Sequence, residues 1–219
     1  MTTTFEPNLR NHRTTNTRPA LEIRIQLVDG TNVSFVQTSA RRAETIRRYA
    51  ASTNIFAQPR LVLADDYSKS IFVCSEINRV DLLYNHFTEP QIPSDYLDLV
   101  ELTESEFRSH VPLHDLSRLE KREQQRKVGD LMVSFLHMRM RGCGDIYLMN
   151  ETIVKVHAES FSYMQHLLSR RHLGIRLPEG GQGFINLQNL IGYTAYPGVP
   201  EIPADSWMAQ QKSFYEISR

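Results

Sequence analysis

The sequence predicts an α+β fold in which two related small modules are joined by a charged helical linker and followed by a C-terminal helical tail. Residues 71–82 and 184–193 share one apolar rhythm, 113 positions apart. Before each of these stretches, strand-like alternation is followed by apolar residues at helical spacing. The segment between the two copies is rich in charge and has few apolar anchors. Each module is therefore expected to contain a β-hairpin, a helix and two further strands.

The composition changes along the chain suggest five segments. The first segment is rich in Thr and Arg and has too few apolar residues to offset the entropy of ordering. In chain order we expect a flexible arm (1–20), a first module (21–87), a linker with short helices (88–130), a second module (131–199) and a C-terminal docking segment (200–219).

The first module opens with alternation over residues 21–37 around Asp29-Gly30, a strong hairpin signal because the turn requires positive φ. Thr38 or Ser39 can cap the helix that follows. Pro59 ends any helix before it. The remaining elements are a short strand at 61–63 and a final strand at 71–82.

The second module follows from sliding this pattern by 113 residues. The Asp29-Gly30 turn then falls on Gly142-Cys143, and the helix falls on residues 153–168 with Thr152 as a cap. The alternative is that unrelated hairpins share apolar spacing by chance. The matched positions are Ile71, Val73, Ile77 and Val80 with Phe184, Asn186, Leu190 and Tyr193, and, with a one-residue slip, Leu61 and Leu63 with Ile175 and Leu177.

The linker and the tail carry helix signals of their own. Thr103 with Glu106 forms a capping-box pattern, and residues 113–128 read as a highly charged helix ended by Gly129. In the tail, Trp207 and Phe214 fit one helical face. That face is expected to dock on the body of the protein or on a partner.

The charges balance overall, with 25 basic and 25 acidic side chains, but they are segregated. Residues 61–107 carry ten acidic and two basic side chains, and both flanking segments are basic. An acidic segment could dock on a basic one within or between chains, or the segments could be solvated faces. The two cysteines suggest no disulfide framework, and no 18-residue apolar run predicts a membrane span. We expect a cytoplasmic protein.

Several patterns were weighed as chemistry and read as structure. His110 and His114 are separated by Pro112, which spoils a shared ligand face, so no metal is expected. Cys143 lies in a Gly-Cys-Gly turn with no base placed on its sulfur. The Gly180–Gly183 loop precedes a strand and not the helix that phosphate loops need, and Asp65-Asp66 reads as a turn. We predict no catalytic residue, metal or cofactor.

The best ligand-facing candidate is the basic run on the first helix, which could bind phosphates together with arginines of the arm. The alternative is a solvated helix face. The four residues are Arg41, Arg42, Arg47 and Arg48.

Three functions remain in order of preference. The first is a non-catalytic protein-interaction or regulatory scaffold, a possible homo-oligomer, with partner contacts through Trp207 and Phe214. The second is a nucleic-acid binder that uses the Arg-rich helix and the arm. The third is an enzyme with a site between the modules. The first hairpin resembles the opening of Sm-like barrels, but the helix after it departs from them, and the sequence assigns no family.

Overall fold

The computed structural model describes residues 19–84, 98–112, 127, 129–142, 144–153, 170–196, 207 and 209. In these ranges the chain is mostly β-structure, with two α-helices, α1 (Ala40–Ser52) and α2 (Glu104–His110). The strands are β1 (Leu21–Leu27), β2 (Asn32–Gln37), β3 (Arg60–Ala64), β4 (Lys69–Val73), β5 (Ile77–Leu83), β6 (Asp98–Leu102), β7 (Leu131–Met140), β8 (Asp145–Ile153), β9 (His172–Arg176), β10 (Gln182–Asn186) and β11 (Leu190–Tyr196).

Nine strands form one mixed sheet in the order β11-β7-β8-β6-β9-β10-β5-β1-β2, and β3 with β4 forms a separate ribbon. Neighbours are antiparallel except β6 and β9, which run parallel. Strands β9 and β10, from the second half of the chain, lie between β6 and the strands of the first half. Short 3₁₀ turns at Cys74–Glu76 and Leu187–Asn189 connect β4 to β5 and β10 to β11.

The predicted α+β class is wrong. Strands build the described structure, and the predicted linker contributes β6, which pairs with β8 and β9. The strands of both halves are hydrogen-bonded into one sheet, so a helical linker does not hold two separate modules together. The predicted helices at 113–128 and 153–168 lie outside the described residues, apart from Lys127 and Ile153, as does almost all of the arm.

The strand register repeats with an offset of 113 residues. Leu21 pairs with Gln37 and Ser134 pairs with Asn150. The irregularity between β1 and β5 falls after Gln26, and the one between β7 and β11 lies beside Arg139. One expected match needs correction: β9 is offset from β3 by 112 residues. Leu61 and Leu63 therefore correspond to Leu173 and Ile175, and not to Ile175 and Leu177.

The capping signals are present where the sequence places them. Ser39 caps α1 by accepting a hydrogen bond from the Arg42 backbone N–H, and Thr103 with Glu106 forms the capping box of α2. Helix α1 buries Ala43 and Ala50 against the first core. That short apolar stripe explains why the helix covers part of the sheet without forming a layer.

Buried side chains form two large clusters and one small one. Alternation along β1 turns Leu21, Ile23 and Ile25 into the first cluster, which also takes Phe184 from β10. The second cluster is built on β7, β8, β9 and β10, and the third is an aromatic group around Phe107 of α2. Full burial of one such side chain contributes roughly 1.5–3 kcal/mol.

Candidate interaction surface

The β3–β4 ribbon presents an exposed apolar face. Val62 and Ile71 lie opposite each other, and Val73 follows on the same face two residues later. All three side chains are exposed. On the opposite face, Leu61 and Phe72 pack against the first core. The ribbon is thus anchored by one apolar face and displays another.

The tip of the ribbon is held by the Asp65 side chain. Its Oδ1 accepts hydrogen bonds from the backbone N–H groups of Tyr67 at 2.7 Å and Ser68 at 2.6 Å. These bonds hold the pKa of the Asp65 carboxyl below its ordinary value, the Tyr67 bond most of all. Asp65-Asp66 therefore shapes a turn, and the turn leaves the Tyr67 side chain exposed.

Strand β11 forms one border of the nine-stranded sheet. Among the described residues it pairs with β7 alone. Ile191 and Tyr193 are exposed on this strand, whereas Tyr196 at its end is buried beside Phe107. The strand is therefore held firmly at one end and offers apolar side chains and an unpaired backbone edge along its middle.

Three buried asparagines hold the two halves together where the 3₁₀ turns meet. The Asn186 Nδ2 donates to the carbonyl oxygens of Cys74 at 3.2 Å and Ile77 at 2.9 Å. Asn189 Nδ2 donates to Ser75 and Ile77 oxygens, both at 3.1 Å. Asn78 Nδ2 donates to the Arg141 oxygen at 2.7 Å. Each is an amide within an otherwise apolar stretch, which is the sequence signal that could have identified them.

The turns of the β1–β2 and β7–β8 hairpins also touch. A Cβ on Gly142 would lie 1.5 Å from the Val28 carbonyl oxygen, and one on Gly30 would lie 3.4 Å from the Gly142 oxygen. Both glycines have positive φ, 65° at Gly142 and 85° at Gly30. The two halves thus meet backbone to backbone at their equivalent turns.

A polar cleft of about 360 Å³ lies beside β1, β2 and β5 and includes one residue from the β9–β10 turn. Because that residue comes from the second half, the cleft is where an enzyme site between the halves would lie. Its lining comprises Arg24, Gln26, Asn32, Ser34, Arg79, Asp81 and Glu179.

The charges of the cleft are paired with one another. The Arg79 guanidinium donates two hydrogen bonds to Glu101, both 2.5 Å long, and one to Asp81 at 2.7 Å. Burial raises the pKa of Asp81 although Arg79 opposes it, and the bonds to Glu101 and Asp81 raise the pKa of Arg79 against its own burial. The Arg24 guanidinium donates to Glu22 and Glu179. The arrangement stabilises the sheet.

The arginines predicted as an anion site lie on α1 but differ in availability. Arg41, Arg42 and Arg48 are exposed. The Arg47 guanidinium lies 4.0 Å above the centre of the Tyr84 ring and 3.0 Å from a Glu44 oxygen. Arg47 is therefore committed to packing, and Glu44 also lies 3.7 Å from Arg48.

The other predicted residues fall in different places. Trp207 is exposed, whereas Phe214 and Cys143 lie outside the described residues. His137 Nε2 lies 2.7 Å from Asp145 Oδ2, and its ring stacks on Tyr147. Gly180 and Gly181 form the turn between β9 and β10.

Within the described ranges, no group of three or more His, Cys, Asp or Glu side chains is placed to hold a metal ion. The helices of those ranges are too short and too polar to cross a lipid bilayer. No protein-family model, curated protein or solved structure matches this chain.

Proposed function

We propose that this chain is a non-catalytic protein-interaction or scaffolding protein that pairs strands β4 and β11 with extended protein segments. The supporting observation is that both strands combine an open backbone edge, within the described residues, with exposed apolar side chains. An added strand gains main-chain hydrogen bonds from such an edge and side-chain contacts from alternate residues. Ile71 and Val73 offer those contacts on β4, and Ile191 and Tyr193 offer them on β11.

The rigidity of these strands favours the same function. Ribbon β3–β4 is fastened to the first core by Leu61 and Phe72, and β11 is fastened by Tyr196 in the aromatic cluster. Edges held in place before binding lose little conformational entropy when a partner pairs with them. Natural sheets commonly protect an open edge with charge or proline, and the exposed centres of β4 and β11 carry neither.

Photo-cross-linking in cells tests this function. A benzophenone amino acid replaces Ile71 in one variant and Tyr193 in another, and mass spectrometry identifies the cross-linked proteins. The matched control places the same probe at Tyr67, which is as exposed but lies at the tip of the ribbon. We expect defined protein adducts at Ile71 and Tyr193 that are absent at Tyr67. Equal labelling at all three positions, or none, would contradict the proposal.

A nucleic-acid-binding function is the second candidate, favoured by the exposure of Arg41, Arg42 and Arg48 on one helix. It ranks lower because Arg47 packs on Tyr84 and Glu44 lies close to two arginines of the run. Binding of a labelled oligonucleotide that weakens steeply with added salt, and that is lost in an R41A/R42A variant, would support it.

A further inference from the structure

The pairing of β10 with β5 shows how the repeat covers an edge within the chain. Phe184 lies opposite Val80, and both are buried in the first core. Asn186 and Asn78 occupy the next positions on the same face, and both are completely inaccessible to solvent. Four side chains from the two halves are thus removed from water at this edge.

The 113-residue offset relates this covered edge to the pair formed by β4 and β11. The same register would place Ile71 opposite Tyr193 and Val73 opposite Ile191. These four side chains are 58%, 39%, 54% and 69% exposed, respectively. Positions buried in one copy of the interface are therefore exposed apolar residues in the other copy.

The difference between the two edges has a physical cause. Asn186 and Asn189 hold β10 beside β5 by donating to carbonyl oxygens of residues 74–77. At the equivalent positions the chain carries Val73 and Glu76, which have no amide to donate. Among the described residues, β4 pairs with β3 alone and β11 with β7 alone.

We infer that the partner of these two edges is a second copy of this chain, with β4 of each copy pairing antiparallel with β11 of the other. This inference rests on the proposed function and names its partner. The occupant is argued from the interface already present between β10 and β5, because β4 and β11 are its equivalents in register and in apolar face. Two such contacts related by a two-fold axis close into a dimer and leave neither edge open.

The first test measures mass and interface. Size-exclusion chromatography with light scattering is expected to give a dimer for the full chain. The I71K/I191K variant places a charge on each edge and is expected to weaken dissociation by about a hundredfold, because unpaired charge at an interface costs several kcal/mol. V36K, on the exposed border strand β2, is the matched control and is expected to remain dimeric. A wild-type monomer at all concentrations would overturn the inference.

The second test measures register by joining two singly substituted chains. Ile71→Cys and Tyr193→Cys are each made in a C143S background, mixed and oxidised. A covalent dimer is expected from the mixture and not from either chain alone. Ser70→Cys mixed with Tyr193→Cys is the control, because Ser70 faces the other side of the ribbon. Equal cross-linking in both mixtures would overturn the inference.

Two further outcomes separate this inference from the proposed function. A chain carrying both I71C and Y193C that links internally and remains monomeric would show that β4 reaches its own β11, which overturns the second copy as the occupant. A monomer whose Ile71 photo-probe captures a different protein would leave the proposed function standing and the inference overturned. Absence of specific capture at either edge would defeat both.

Discussion

Single residues decide how closely the two halves approach each other. Gly142 is the clearest case, because its positive φ and its contact with the Val28 carbonyl both exclude a side chain. The buried asparagines have the complementary role, since they satisfy carbonyl oxygens that the 3₁₀ turns leave without a backbone partner. Both devices act at points where the chain meets its own repeat.

Gly142→Ala is expected to lower the free energy of unfolding by about 3 kcal/mol, through backbone strain and displacement of the Val28 strand end. Urea unfolding followed by circular dichroism measures this change. Gly144→Ala is the matched control, since a Cβ at Gly144 meets no atom within 4 Å. Equal midpoints for the two variants would show that the hairpin turns do not touch.

His172 is expected to make stability sensitive to acid. Burial lowers the pKa of this imidazole below its ordinary value of 6.5, and the nearby Arg170 lowers it further. The unfolded chain therefore binds a proton at higher pH than the folded chain does, and stability is lost as pH falls from about 6.5 through the lowered pKa. The advantage of the wild type over His172→Gln should shrink between about pH 7.5 and about pH 5. A constant difference would contradict this.

At the scale of elements, local signals located several pieces of structure and could not assemble them. Asp29-Gly30, Ser39 and the Thr103–Glu106 pair act within a few residues, so their turn and caps could be recognised from the sequence. The class was wrong because sheet order depends on distant pairing. Strand β6 lies in an acidic stretch with weak alternation, and its partners β8 and β9 follow it in the chain by about fifty residues or more.

Helix α2 provides a test at this scale. Thr103 Oγ1 accepts from the Glu106 N–H at 3.2 Å, and Glu106 accepts from the Thr103 N–H at 2.7 Å. Thr103→Ala is expected to cost about 1 kcal/mol, and Thr103→Ser is expected to retain most of the stability. Hydrogen exchange of the α2 amides measures the change. Equal exchange in both variants would show that the cap does not hold the helix.

At the scale of the whole molecule, Arg79 joins strands that are distant in the sheet. It lies on β5 and binds Glu101 of β6, although β10 and β9 lie between those strands. Its side chain is only 14% exposed. This contact was missed from the sequence because no spacing rule relates residues on strands brought together by the fold. The exposed apolar edges were missed for the same reason.

Arg79→Ala is expected to lower the free energy of unfolding by roughly 3–5 kcal/mol, because Asp81 and Glu101 would remain largely buried without their partner. Arg24→Ala is the matched control, since its ion pairs are more exposed, and it should cost about 1 kcal/mol or less. Urea unfolding of both variants decides the matter. Similar losses would show that the Arg79 cluster is not a special tie between strands.

The insertion of β10 beside β5 has a consequence for how this protein can be divided. The first core takes Phe184 from the second half, and β5 takes its neighbour from there. A fragment that stopped before β6 would lack one wall of its own interior and would leave Val80 and Leu82 bare to water. Neither repeat can therefore be inherited, expressed or degraded as an autonomous unit, and natural selection must act on both together.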